Sequence, residues 1–243
     1  MRGQLVWTMR SLLTGLAVAG CVAQALPPDT APPSTLNPGL VSRWKLDDGN
    51  GNTVNDSVDG TGNDGTTSGG TTWTQNGFPG AKYQNGGALT FNGTDGVVDL
   101  GGKGLPALDQ AASVTFWVNY STVGSTTRPM IGFGASGAGR IKLGFNMSAF
   151  GVWKGNGDIM VMAAAPNNGW HHLAYTFDGT TRKLYVDGAE KGTSNMAGDS
   201  GTIAEGHFGS YGTQHFAGTL DEIRVYRRAL TAGEVSQLAG GNE

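Results

Sequence analysis

Large apolar residues recur at every second position over short stretches of this chain, and turn-forming residues separate the stretches. The clearest case is 170–188, where Leu173, Tyr175 and Phe177 alternate with Ala174 and Thr176, giving a strand one large apolar face. Asp178-Gly179-Thr180-Thr181 then turns the chain, and Leu184 and Val186 supply the returning strand. Asp187-Gly188 signals a type I′ turn, in which both central residues take positive φ. A third strand follows over 189–193, so the segment reads as an antiparallel meander. The same period of two predicts strands at 40–46, 88–91, 96–100, 113–120, 129–133, 140–146, 150–153, 158–162 and 220–226. In 113–120, Val114, Phe116 and Val118 share one face, with Thr115, Trp117 and Asn119 on the other. No helical pattern of ten or more residues separates these strands, which points to an all-β antiparallel sandwich or jelly roll rather than a parallel α/β fold. One short helix closes the chain: Thr231 and Glu234 form a capping box, and Leu230 and Val235 form its hydrophobic staple.

The two ends of the pattern set the domain organisation. Residues 1–20 read as a secretion signal, because Arg2 and Arg10 bracket a short n-region and residues 12–19 are apolar but too few to span a bilayer. Val18-Ala19-Gly20-Cys21 resembles the lipobox of bacterial lipoproteins, in which the cysteine becomes the acylated first residue of the mature chain. Cys21 is the only cysteine and so has no intrachain disulfide partner. Cleavage after Ala25 by an ordinary signal peptidase is the alternative, since Ala23-Gln24-Ala25 also fits the small-x-small rule. Acylation would attach the protein to the lipid bilayer through Cys21 alone, in the bacterial envelope. Val22, rather than Asp, after the cysteine directs the expectation to the outer membrane. The alternative product is a soluble secreted or periplasmic protein. Residues 21–39 contain Pro27, Pro28, Pro32, Pro33 and Pro38 and read as an extended tether, which leaves 40–243 as one folded domain.

Composition agrees with many tight turns, since 42 of the 243 residues are glycine. A net charge of −3 without any basic run argues against a nucleic-acid partner. Residues 47–70 have only Val54 and Val58 as apolar residues among aspartates, asparagines and glycines, a density of oxygen ligands that suits a hard cation such as Ca²⁺. Asp48, Asn50, Asn52, Asp56 and Asp59 fall at EF-hand spacing, but Thr53 stands where the turn glycine belongs and no helices flank the loop, so an EF-hand is rejected.

Several segments together resemble the laminin-G-like branch of the concanavalin A-like lectin/glucanase superfamily. They are Trp44-Lys45-Leu46-Asp47 with its acidic loop, Ala88-Leu89-Thr90-Phe91-Asn92-Gly93, residues 114–118, residues 170–188, and residues 216–230 with the closing helix. The resemblance implies a two-sheet antiparallel jelly roll over about 40–240. It also implies a structural calcium held by the N-terminal acidic loop and a carboxylate of the last strand, here Asp221. Strand alternation puts Asp221 on the face of Ile223 and Val225, so its charge needs a partner. Asp47, Asp48, Asp56, Asn63 and Asp64 are the expected calcium ligands with it; backbone amides or Arg43 are the alternative.

The superfamily hosts both binding modules and enzymes, so function has to be argued from a site. Retaining hydrolysis needs two carboxylates about 5 Å apart. Asp221 and Glu222 are adjacent and point to opposite faces of a regular strand, Glu190 and Glu205 stand singly, and the Glu-x-Asp-x-x-Glu pattern of the family's glucanases is absent. His171, His172, His207, His215, Tyr211 and Gln214 are not framed by a lyase motif, and the Trp170-His171-His172 run reads as structure at a sheet end. The reading is therefore a surface-tethered, non-catalytic carbohydrate-binding module. Trp73, Trp153, Tyr211 and Arg128 are the expected sugar contacts, with plugging of the sandwich ends as their alternative role. The other reading is an adhesion module that contacts a cell-surface protein or a cell-wall layer.

Overall fold

The computed structural model describes residues 36–101, 105–106, 110–121, 126–134, 141–146, 148–154, 159–195 and 205–243. The expected leader, the Cys21 anchor and most of the proline-rich tether lie outside the described residues. In chain order the strands begin with β1 (Leu40–Trp44), β2 (Thr53–Val54), β3 (Gly65–Ser68), β4 (Thr71–Thr74), β5 (Ala88–Asn92) and β6 (Val97–Asp99). They continue with β7 (Ala112–Tyr120), β8 (Thr127–Phe133), β9 (Ile141–Asn146), β10 (Ala149–Lys154), β11 (Ile159–Ala164) and β12 (Gly169–Phe177). Last come β13 (Arg182–Val186), β14 (Ala189–Ser194), β15 (Gly206–Phe208), β16 (Ser210–Tyr211), β17 (Gln214–His215) and β18 (Ala217–Tyr226), followed by helix α1 (Ala232–Ala239).

Two antiparallel sheets form a jelly-roll sandwich. The first runs β14-β13-β12-β7-β18-β5-β4, with β1 also on β18, and the second runs β11-β10-β9-β8-β15-β6-β3-β2. Alternation explains the core between them. Val114, Phe116 and Val118 of β7 and Leu173 and Tyr175 of β12 are buried with Leu143, Phe145, Phe150 and Val152 of the second sheet. Edge-to-face contacts bridge the layers, Phe116 to Phe150 at 6.4 Å and Trp44 to Phe208 at 5.0 Å between centroids. Each fully buried Leu or Phe of this kind contributes ~2 kcal/mol.

The predicted meander forms β12, β13 and β14. Its I′ signal is met, with φ of 51° at Asp187 and 79° at Gly188. At the other turn Asp178 Oδ1 accepts from the amides of Thr180 and Thr181 at 2.8 and 2.7 Å. The capping box of α1 is present: Glu234 N donates to Thr231 Oγ1 and Thr231 N to Glu234 Oε2. Leu230, Val235 and Leu238 bury the helix against Tyr185 and Tyr226 on the outer side of the first sheet.

Three expectations are corrected. Packing starts at Leu36 rather than at residue 40, because Leu36 joins the helix cluster at 3% exposure and the carbonyls of Pro38 and Gly39 accept from Arg228 and Arg227. The acidic stretch 47–70 is not all loop but contains β2 and β3; β4, β15, β16 and β17 also escape the apolar pattern, being polar or very short. The third correction concerns β18. Asp221 pairs with Trp117 but Arg224 with Thr115, so Glu222 and Ile223 together oppose Phe116 in a β-bulge, with Glu222 at φ 50°. The bulge shifts the alternation: Leu220, Ile223 and Val225 all enter the core, and Asp221 lies on the outer side of the first sheet beside Trp117.

Candidate functional site

The hairpin of β16 and β17 folds back on β8. Its loop is Gly212-Thr213, and Gly212 supplies a φ of 64°. Tyr211 lies against Gly132 of β8, where any Cβ would stand 2.6 Å from the ring, so the hairpin needs a glycine beneath it. Arg128, near the start of β8, donates from Nη1 to the carbonyl of His215 at 3.0 Å and ties the hairpin's returning strand. Between the hairpin, the start of β8 and the turn at Gly93-Thr94 opens a cleft of about 500 Å³. Arg128, Gln214, His215 and four threonines line it. This set offers hydroxyl, amide, imidazole and guanidinium groups around one concavity, an arrangement that can hydrogen-bond a ligand carrying many hydroxyls.

The expected sugar contacts divide. Arg128 lines the cleft. Tyr211, on the hairpin, does not line the cleft and is 5% exposed, and Trp153 on β10 is 3% exposed, so neither ring presents a stacking face as folded here. Their rings instead flank Lys142, whose Nζ lies 4.9 Å from the Tyr211 centroid and 5.9 Å from that of Trp153. The expected aromatic platform is thus replaced by a buried cation between two rings. Trp73 is elsewhere, half-buried in a separate cleft with Gly51, Asn52 and Thr67, its indole N–H donating to the Gly51 carbonyl at 2.9 Å. Gln214 and His215 are the cleft residues that the search for stacking rings did not bring forward. The glycines at 132 and 144, which interrupt otherwise apolar strands, were the available signal of a close approach there.

The expected calcium ligands also divide. Asp48 accepts from Asn55, Asp56 Oδ1 from the amides of Arg43 and Val58, and Asp64 from the amide of Asp56. Asn63 is buried and donates to Ser42 Oγ at 2.8 Å. Asp56 and Asn63 tie the 47–70 segment to β1, Asp48 and Asp64 bond within the segment, and these contacts do not converge on Asp221. Asp47 and Asp221 act together on a different segment, 77–87. Asp47 Oδ1 accepts from the amides of Gly86 and Gly87 at 2.9 and 2.7 Å, and Asp221 Oδ2 from Phe78 N and Asn85 Nδ2 at 2.7 and 2.8 Å. Phe78 stacks on Trp117 at 3.3 Å and covers this side of the sheet. Asp221 is fully buried, and burial pushes its carboxyl up to about 7, with the charges of Glu222 and Asp47 adding to the rise. Its Oδ1 and the Oδ1 of Asn85 are both buried without a hydrogen-bond partner among the described residues. Asn85 and Phe78 sit in a Gly-rich segment with no strand pattern, so nothing in the chain's periodicity singles them out.

The histidines serve several surroundings. His172 is fully buried edge-on to Trp117, and burial, with the charge of Arg224, pushes its ring down to about 3. His171 Nδ1 meets Asp187 Oδ2 at 2.8 Å, and His207 lies 4.0 Å from Glu205. Glu222 is, like Asp221, a fully buried carboxylate. It receives Arg43 Nε and Nη2 at 2.8 and 3.0 Å and lies 3.0 Å from Arg224 Nη2.

Comparison with known proteins adds the following. Residues 92–236 match the laminin-G-type family model of the concanavalin A-like lectin/glucanases superfamily. Domain 4 of an extracellular GH43 arabinanase of Geobacillus stearothermophilus, solved in complex with arabinotriose, superposes with a TM-score of 0.64 at 24% identity, over 82% of this chain and 98% of that one. The sialidase of Trypanosoma rangeli gives 0.62 at 19% identity, over 83% of this chain and 32% of that one. The binding domain of botulinum neurotoxin serotype D gives 0.64 at 12%, over 84% and 52%. At these identities the likeness is one of fold. A stretch of 61 residues, 25% of the chain, is 34% identical to an asparagine-rich protein of Margaritifera margaritifera and spans 9% of that protein.

Proposed function

The chain belongs to the concanavalin A-like lectin/glucanases superfamily, and from that premise we propose that it is a non-catalytic carbohydrate-binding module whose glycan sits in the cleft of Arg128, Gln214 and His215. The observation that carries this reading is the convergence of four threonines, an amide, an imidazole and a guanidinium on one open cleft of about 500 Å³. The arabinotriose on the arabinanase domain supports a saccharide ligand for this architecture. Affinity in the micromolar to millimolar range is expected, since a shallow polar cleft gains little beyond its hydrogen bonds. Titration calorimetry against an oligosaccharide panel tests it: Gln214→Ala weakens binding by roughly fivefold or more, the share of one or two hydrogen bonds. Reducing-sugar release from the same panel would contradict the non-catalytic half.

A protein partner is the second reading. What favours it is a cleft of about 450 Å³ lined by Ala164, Pro166, Val186 and Ala189 with Asp187 and Lys191, mostly apolar and without aromatic rings.

A structural calcium ion is part of the proposal. The two unpartnered buried oxygens, Asp221 Oδ1 and Asn85 Oδ1, and the neighbouring Asp47 are the groups that would hold it, and all are hard oxygen donors. The ion would supply the counter-charge for Asp221 and Asp47 and fasten segment 77–87 to β18. We place the domain on a bacterial outer membrane through acylated Cys21. Several acyl chains make a stable anchor where one is marginal. Cys21→Ser is expected to move the protein from the membrane fraction to the soluble fraction; unchanged membrane association would remove the anchor.

A further inference from the structure

Arg128 stands apart from Arg43, Arg224 and Arg228, which pair with Glu222 or Glu234. Among the described residues no carboxylate pairs with Arg128, and its hydrogen bond from Nη1 to the His215 carbonyl orients the guanidinium while leaving Nε and Nη2 uncommitted. That Nε–Nη2 edge is the planar fork that matches the two oxygens of a carboxylate.

The sequence on either side of it is one-signed. The chain carries 19 Asp and Glu, yet none lies between Asp109 and Asp158, where Arg128, Arg140, Lys142 and Lys154 all occur. This stretch supplies β8, β9 and β10, three neighbouring strands of the second sheet. Lys142 Nζ lies 4.9 Å from the ring centre of Tyr211, on the hairpin that borders the cleft. On the remaining wall, Asp95 follows Thr94 but is engaged by Asn92 Nδ2 at 2.8 Å and the Gly70 amide at 2.9 Å. A cationic donor fork, held in place within a polar cleft and lacking an internal counter-ion, favours an anion over a neutral group of the same size.

We infer that the cleft selects acidic glycans and that Arg128 grips the sugar carboxylate through Nε and Nη2. The inference rests on the glycan-binding reading and names its ligand class, with the threonines and Gln214 left to the ring hydroxyls.

The test is calorimetric titration of the full chain with galacturonan, alginate and hyaluronan oligosaccharides and sialyllactose, each beside its methyl ester. The ester keeps every hydroxyl, removes the charge and caps one carboxylate oxygen with a methyl group. At least one acid should bind roughly 10- to 100-fold tighter than its ester, the range for a hydrogen-bonded charged group. Arg128→Gln should close the gap between the acid and its ester, with the acid losing the larger share of its affinity. Arg128→Lys, which keeps the charge but loses the fork, should fall between. Equal binding of acid and ester by the wild type would overturn the inference while leaving glycan binding intact. Binding of neutral oligosaccharides alone would do the same. Absence of binding to any oligosaccharide, charged or neutral, would overturn both.

Discussion

Stripped of divalent cations, the domain is expected to lose thermal stability as the pH rises from about 4 to about 7, and Asp221→Asn to remove most of that loss. Burial raises the Asp221 carboxyl from an ordinary 3.8 to about 7. Between those values the folded state holds a proton that the unfolded chain has released. The stabilising contribution is therefore complete below the ordinary carboxylate value, declines through this window and is gone above about 7. Three pH units at ~1.4 kcal/mol each bound the effect at about 4 kcal/mol, or roughly ten degrees of melting temperature for a domain of this size. Asp47 contributes in the same direction, since its carboxyl is also raised by burial and by the charge of Glu222. Asp221→Asn keeps an acceptor for Phe78 N and Asn85 Nδ2 and removes the charge, so the metal-free variant should melt above the wild type at pH 8. Calcium should narrow the gap. Saturation at 100 times the Kd adds about 2.7 kcal/mol to the wild type and nothing comparable to the variant. A flat pH profile in chelator would contradict the burial argument, and an equal calcium shift in Asp221→Asn would contradict the metal.

Glu222→Gln is expected to cost about 3–5 kcal/mol, because it removes the buried carboxylate that Arg43 and Arg224 share and leaves Arg43 with Glu243 alone. Glu222 is fully buried, and Arg43 and Arg224 are 7% and 3% exposed. Arg43 also meets Glu243 at the chain's end, and its guanidinium lies 5.3 Å from the Tyr83 ring, so the loss would loosen β1, β18 and the C-terminal segment together. Glutamine matches the shape of Glu222 and places an N–H against donor groups, which isolates the electrostatic cost from any cavity. Urea unfolding followed by tryptophan fluorescence measures it. A loss below about 1 kcal/mol would mean that water already reaches the cluster.

Both effects arise at the one place where the strand pattern misleads. A period of two placed Asp221 with Ile223 and Val225, and the bulge at Glu222 turned it to the opposite side. Bulges follow from local φ and from long-range pairing, and no residue in Leu220-Asp221-Glu222-Ile223 announces one. Where burial alone decides, the reading was direct: residues 113–120 and 173–177 became β7 and β12, and Thr231 with Glu234 capped α1. The sites were less legible. Aromatic residues attract attention as sugar platforms, but Trp153 and Tyr211 occur beside a buried lysine, which no local pattern shows. Arg128 was legible as an arginine outside the core pattern. Its cleft partners Gln214 and His215 are eighty-odd residues away and meet it only because the hairpin folds back on β8.

The most direct test of glycan binding in this cleft is a map of amide chemical shifts in the full chain on titration with a bound oligosaccharide. The account predicts that the amides of Thr94, Thr127, Arg128, Gln214 and His215 move together and saturate with one affinity. Shifts confined to the Trp73 cleft or to the apolar cleft at Val186 and Ala189, with these five amides unmoved, would contradict it.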